Sequence, residues 1–341
     1  MPDLHSTDDL DRALSALNDD VQTDPVRLEQ TRAAFLGAIT QEPLMTTATK
    51  PHRRRRWLIA TAAALALVAG GSLYSTTLAG GSAVADSLNG AADHVTSASD
   101  PVIPAGKYKK LTGRAWTGVY SEIRGGGLQW MEESVTEVWI PADVRGTWYK
   151  RETNTGRHQW IDGNDELARK NGITFKRSST TSTAKCGAFF GGGLCGANGG
   201  WQDPSLDWLK GLPKDSKALY KRLDKDAPGR LEGNSRGETQ LLVYANDALR
   251  SGVVPAETRA TLYRALGNLK NLKIVDGAVN LDGREGVAYS SDDGSQREEV
   301  IIDPKTGDYI GNRQVATDGP RKGKTTGYTS LTTTIAPAPW K

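Results

Sequence analysis

The 341-residue chain carries a formal charge of +3, 37% apolar residues, 38 glycines, four histidines and two cysteines. That length suggests about two domains at roughly 100–200 residues each, and the ordinary apolar content excludes a wholly disordered chain, a collagen repeat or a multi-span membrane protein. The small net charge offers no basic field for nucleic acid, and so few histidines and cysteines leave little ground for a protein-built metal site.

The charge is unevenly placed. Residues 1–49 hold nine acids against three arginines, and residues 50–56, KPHRRRR, hold five bases and no acid. Such a division suggests a chain that occupies more than one environment. In the acidic segment Leu10, Leu14, Leu17 and Val21 recur with helical period, with Ser6 or Thr7 as cap. Asp24-Pro25 reads as N-cap and first residue of a second helix carrying Leu28, Phe35, Leu36 and Ile39. Two short helices bury too little surface to form a core alone. They are either a solvated tail or a docking element, and in the second case Leu10, Leu14 and Leu17 are the partner-binding face.

Residues 57–80 begin with the uncharged run WLIATAAALALVAGGSLY, bracketed by Trp57 and Tyr74. At ~1.5 Å per residue this run spans roughly 27 Å, about one hydrocarbon core. Arg53, Arg54, Arg55 and Arg56 precede it, so the positive-inside rule predicts residues 1–49 in the cytoplasm, 50–56 as a basic stop, 57–80 as a transmembrane helix and 81–341 outside the cell membrane. Ala83-Val84-Ala85 also fits a signal cleavage pattern before Asp86. An n-region of 56 residues is long for a signal, and the reading taken is an uncleaved, single-pass anchor.

The external part alternates in character. Residues 83–97 predict a helix on Val84, Leu88, Ala92 and Val95, ended by Pro101 and Pro104. From Lys107 to Ile161 the chain is strand-like, with turns at 125–127 and 141–143 and five tryptophans between 116 and 160. These tryptophans read as sheet-packing residues first and an aromatic-lined cavity second. Cys186 and Cys195, in a glycine-rich stretch, are predicted to form a disulfide in an external domain. Helices follow around Leu206–Leu212, Leu219–Leu223, Glu238–Leu249 and Pro255–Leu266. Strands return at Lys273–Leu281, Gly286–Ser290, Glu298–Ile302 and Tyr309–Val315, separated by turns at Asp282-Gly283, Asp293-Gly294 and Pro304–Gly307. A last, threonine-rich strand at Gly327–Ile335 suits a sheet edge. The fold class predicted is α+β, an external antiparallel sheet of half-barrel type with covering helices.

Three short matches invite an enzymatic reading: Ser182-Thr183-Ala184-Lys185, Tyr244-Ala245-Asn246 and Lys305-Thr306-Gly307, in the order used by penicillin-binding serine hydrolases. Their contexts argue otherwise. A glycine-rich loop follows Lys185, Lys305 lies in a turn, and Tyr244 lies within an amphipathic helix. His94 and His158 read as surface or packing residues, and Asp292-Asp293 as a turn. No catalytic residue, cofactor or metal ligand is assigned.

Several pieces carry a resemblance: Glu137-Val138-Trp139, Leu212-Pro213-Lys214-Asp215, Leu262–Leu266 (LYRAL), Gly283–Ala288 (GREGVA) and Ile302–Gly307 (IDPKTG), behind the arginine-rich start of the span. Together they resemble an uncharacterised family of single-pass membrane proteins from high-GC Gram-positive bacteria, often encoded beside extracytoplasmic-function sigma factors. The external layout is similar to LolA-type half-barrel carriers and related envelope sensors, in which a curved sheet and helices hold an acyl chain. The resemblance implies structural motifs and no active site. Two readings stand. One is an external sensor whose cytoplasmic segment contacts a partner such as a sigma factor. The other is a membrane-tethered module for lipid or another apolar ligand, without signalling.

Overall fold

The computed structural model describes residues 81–98, 100–124, 126–227 and 235–340. The expected cytoplasmic helices with Leu10, Leu14 and Leu17, the Arg53–Arg56 run and the span at 57–80 lie outside the described residues. Among the described residues no helix is long and apolar enough to cross a membrane.

The first element, α1 (Ser82–Ala98), buries Val84, Leu88, Ala91, Ala92 and Val95, one stripe of a 3.6-residue period. Three long strands follow as a meander: β1 (Lys107–Ile123), β2 (Gly126–Pro141) and β3 (Thr147–Asp162). A short helix α2 (Asp165–Lys170) leads into β4 (Ser178–Lys185), and four helices come next: α3 (Leu206–Lys210), α4 (Ser216–Asp226), α5 (Ser235–Arg250) and α6 (Ala256–Leu266). A second meander, β5 (Lys273–Val279), β6 (Glu285–Asp292), β7 (Gln296–Ile302) and β8 (Tyr309–Ala316), precedes the last strand, β9 (Thr325–Pro337). The expected α+β class is observed as one open, wholly antiparallel sheet of nine strands, ordered β4-β3-β2-β1-β9-β8-β7-β6-β5.

Within the two meanders, β1 to β3 and β5 to β8, consecutive strands pair through short turns, as antiparallel neighbours do. Asp282-Gly283 and Asp293-Gly294 lie in two of those turns, with Gly283 and Gly294 at positive φ. The placement of β9 corrects the expected sheet edge. It joins the two meanders, pairing with β1 from Gly327 to Pro337 and with β8 from Thr325 to Tyr328. Among the described strands only the outer two, β4 and β5, are edges. Two elements had no sequence expectation. In β4, SSTTSTAK, there is no apolar alternation because nearly every side chain is exposed. Helix α2 has six residues, too few for a periodic pattern.

One face of the sheet carries the helices: α5 packs on β6, β7 and β8, while α6 packs on α1 and α4. The main core lies between. It draws Leu111, Ile140 and Trp148 from the first meander, Ile274, Tyr289, Val300, Ile302 and Tyr309 from the second, and the helical leucines. Leu219 and Leu223, one turn apart on α4, are both fully buried, each worth roughly 1.5–3 kcal/mol relative to exposure. The opposite face is covered at one end by the chain itself. The β5–β6 turn reaches across β8 and β9, where Asn280 Nδ2 donates to Ile310 O at 2.8 Å and Ser330 Oγ to Asp282 Oδ2 at 2.5 Å. Val275, Ala278, Ala288, Ile301 and Ile310 form a small second core there.

The β1–β9 seam has a property that shapes the molecule. Its last pair is Thr117↔Gly327, after which β1 runs on to Ile123 paired with β2. The sheet therefore opens at that end.

Candidate functional site: two cavities beside the helical layer

An apolar cavity of about 660 Å³ lies between the start of β1, the end of β2, α3 and α6. That size is within the range of roughly 300–1,000 Å³ usual for small-molecule sites. Ile140, Leu194, Leu206, Leu209, Leu212 and Val253 supply aliphatic walls, and among the described residues no aromatic one lines it. Lys109, Lys210, Lys214 and Arg264 also border the cavity, against a single acid, Glu257.

Local chemistry fixes these walls. Ser205 Oγ accepts from Trp208 N at 3.3 Å and caps α3; Asp215 Oδ1 accepts from Ala218 N at 2.8 Å and caps α4. The capped helices place the intervening Leu212 and Pro213 at the cavity. Cys186 and Cys195 form the expected disulfide, with Cα atoms 5.7 Å apart. Inside the loop it closes, Leu194 N donates to Cys186 O at 2.8 Å, and Leu206 N donates to Leu194 O at 2.7 Å. The glycine-rich loop thus supplies a wall of the cavity rather than a plug.

The rim is electrostatically tied to α6. The N-cap residue of that helix, Pro255, has no side chain to cap it. Asp100 substitutes, its Oδ2 accepting from Ala256 N at 2.8 Å and its Oδ1 from Arg259 Nη1 at 2.8 Å. Burial opposes the charge on Asp100, but the Ala256 N–H and Arg259 outweigh it and hold the carboxyl below its usual range. Lys109 Nζ donates to Gly252 O at 2.7 Å. Burial lowers its pKa, and Asp100 works in the other direction.

A second, polar cavity of about 460 Å³ occupies the opening where β1 outruns β9. It lies eight residues further along β1, from Lys109 to Thr117, or roughly 27 Å at strand rise. Asn246 and Asp247 from α5, Gln296 from β7 and Asn312 and Gln314 from β8 line it. Behind this lining is a buried network. Tyr309 Oη donates to Asn246 Oδ1 at 2.7 Å, and Asn312 Nδ2 donates to Glu298 Oε1 at 3.0 Å. Glu298 is fully buried. Burial pushes its pKa from 4.5 up to about 7; hydrogen bonds from Asn312 and Gln314 oppose the rise, and the charges of Asp247 and Glu299 add to it. These polar residues escaped sequence reasoning.

Four of the five tryptophans pack, as the first of the two sequence readings had it, while Trp116 lines the polar cavity, as the second had it. Trp148 lies in the main core, Trp130 and Trp160 pack with Phe175 near α2, and Trp139 meets Trp340 edge-on. His158 stacks on Phe175 with ring centroids 3.6 Å apart and meets Asp165 Oδ1 at 2.7 Å, whereas His94 is exposed. Asp292 and Asp293 are turn formers, Asp293 Oδ1 accepting from Ser295 N and Gln296 N at 2.8 Å each. The hydrolase-like triplet is not assembled. Ser182 and Lys185 are on edge strand β4, and Lys305 is in the β7–β8 turn. Along the sheet β4 and β8 stand five strand steps apart, on the order of 24 Å. Among the described residues no group of three His, Cys, Asp or Glu side chains is placed to hold a metal.

Compared with known proteins, the chain matches no family model, no curated protein and no solved structure.

Proposed function

We propose that residues 81–341 form an extracytoplasmic binding module for a lipid or another apolar ligand, tethered by the span at 57–80. The observation that carries this reading is the aliphatic cavity of about 660 Å³ bordered by lysines and an arginine. Burying an apolar chain there gains about 25 cal/mol per Å² removed from water, without a specific reaction. The layout, one antiparallel sheet with helices over one face, agrees with a half-barrel carrier of the kind the sequence resembles.

The sensor reading adds an output. Residues 1–49 would transmit occupancy to a cytoplasmic partner such as a sigma factor, through the Leu10, Leu14 and Leu17 face. Its support is the acidic, amphipathic character of that segment.

The test is retention of ligand by the full-length chain. The protein is purified in detergent, denatured and extracted, and the extract is analysed by mass spectrometry. Leu209→Trp places an indole in the cavity and should reduce the retained species by about tenfold, a loss of about 1.4 kcal/mol in affinity. Equal retention by both proteins would assign the lipid to the protein surface and overturn the reading.

A further inference from the structure

We infer that the polar cavity at the β1–β9 opening is a second ligand site, one that takes a short, uncharged saccharide. The inference is independent of the apolar cavity, which lies at the other end of β1.

The chemistry of the lining sets the ligand class. Five amide side chains border the cavity: Gln129, Asn246, Gln296, Asn312 and Gln314. An amide presents donors and acceptors side by side, and so does a vicinal diol. A sugar therefore suits the amide groups that the protein's own hydrogen bonds leave free, whereas an alkyl chain offers them nothing. The charges offer little to an ionic ligand. Asp247 is held by Arg250 Nη2 at 3.0 Å, and Arg321 is the remaining charged residue in the lining.

The network also makes the site preorganised. Thr329 Oγ1 donates to Asn312 Oδ1 at 2.5 Å and accepts from Asn312 N at 3.0 Å, while Tyr309 holds Asn246. The amides are thus oriented before any ligand arrives, which reduces the ordering cost of binding.

The experiment is calorimetric titration of the full-length chain, separately, with maltotriose and with the N-acetylglucosamine trimer, and with trialanine as the peptide comparison. Gln296→Ala removes one amide that borders the cavity, and its melting temperature checks that the fold is kept. Saccharide affinity in Gln296→Ala should fall about five- to tenfold, the effect of one hydrogen bond. Leu209→Trp, in the apolar cavity, should bind the saccharide as the wild type does. Failure of both saccharides to bind overturns the inference, as does affinity unchanged in Gln296→Ala. Tighter binding of trialanine than of either sugar overturns the ligand class.

Discussion

Tyr263 Oη donates to the carbonyl oxygen of Gly307 at 2.9 Å, joining α6 to the β7–β8 turn inside the protein. The turn is built by Asp303, whose Oδ1 accepts from Lys305 N at 2.8 Å and whose carbonyl accepts from Gly307 N at 2.8 Å. Gly307 has φ +71°, and a Cβ there would collide with the Ala91 carbonyl of α1. Arg284, in turn, pairs with Asp303. Three of the sequence pieces that carry the family resemblance, LYRAL, GREGVA and IDPKTG, therefore meet at one junction. Their role there is to hold α1, α6 and the second meander together.

Tyr263→Phe should leave the Gly307 carbonyl buried without its donor. Such a loss costs about 1–3 kcal/mol, or roughly 2–4 °C per kcal/mol for a domain near 200 residues. Gly307→Ala should cost more, since it adds a clash to a left-handed backbone. Thermal unfolding of the full-length variants measures both. A melting temperature for Gly307→Ala equal to wild type would contradict this account of the junction.

Glu298 gives the fold a pH dependence whose sign follows from its raised pKa. Between pH 4.5 and about 7 the folded chain keeps a proton that the unfolded chain has released. Its contribution is fully present below pH 4.5 and is lost as pH rises through 7, in total on the order of 3 kcal/mol. Glu298→Gln should therefore melt like wild type near pH 4.5 and at a higher temperature than wild type at pH 8. A gap that widens toward low pH would be the wrong sign.

How much of this was legible depends on whether local chemistry or long-range pairing decides. The Asp-Gly turns and the Pro304–Gly307 turn located β5 to β8 within a few residues, because those short sequences favour the tight turn by themselves. The place of β9 is a matter of which distant strand it pairs with, and its threonines fit an edge as well as an interior seam. The strand β4 has no apolar face to reveal it. Leu206, Leu209 and Leu212 were readable as apolar helix positions, but whether they fill a core or border a cavity depends on what the disulfide loop places opposite. The polar cavity had no sequence signature, since its amides come from α5, β2, β7 and β8.

The disulfide should matter for both stability and the cavity. Closing a loop of about ten residues restricts the unfolded chain by roughly 2–3 kcal/mol in the chain-entropy account. Cys186→Ser with Cys195→Ser should lower the melting temperature and raise amide hydrogen exchange at Leu194 and Leu206, whose mutual bond the loop supports. Unchanged exchange at those two amides would separate the disulfide from the cavity wall.

If residues 1–49 transmit a signal, replacing Leu10, Leu14 and Leu17 by Asp in the full-length chain should remove the apolar face and leave the external domain untouched. A cytoplasmic partner isolated with the wild type from native cells should then be lost, while ligand retention stays as it was. A partner that still accompanies the triple variant would argue against this docking face.

The occupant of the apolar cavity is open to direct capture. Cells producing the full-length chain are fed a fatty acid bearing a terminal diazirine and irradiated, and the labelled peptides are identified by mass spectrometry. The account predicts label concentrated on residues 206–214 and 253–264, and its loss in Leu209→Trp. Label confined to the span at 57–80, unchanged in Leu209→Trp, would contradict it.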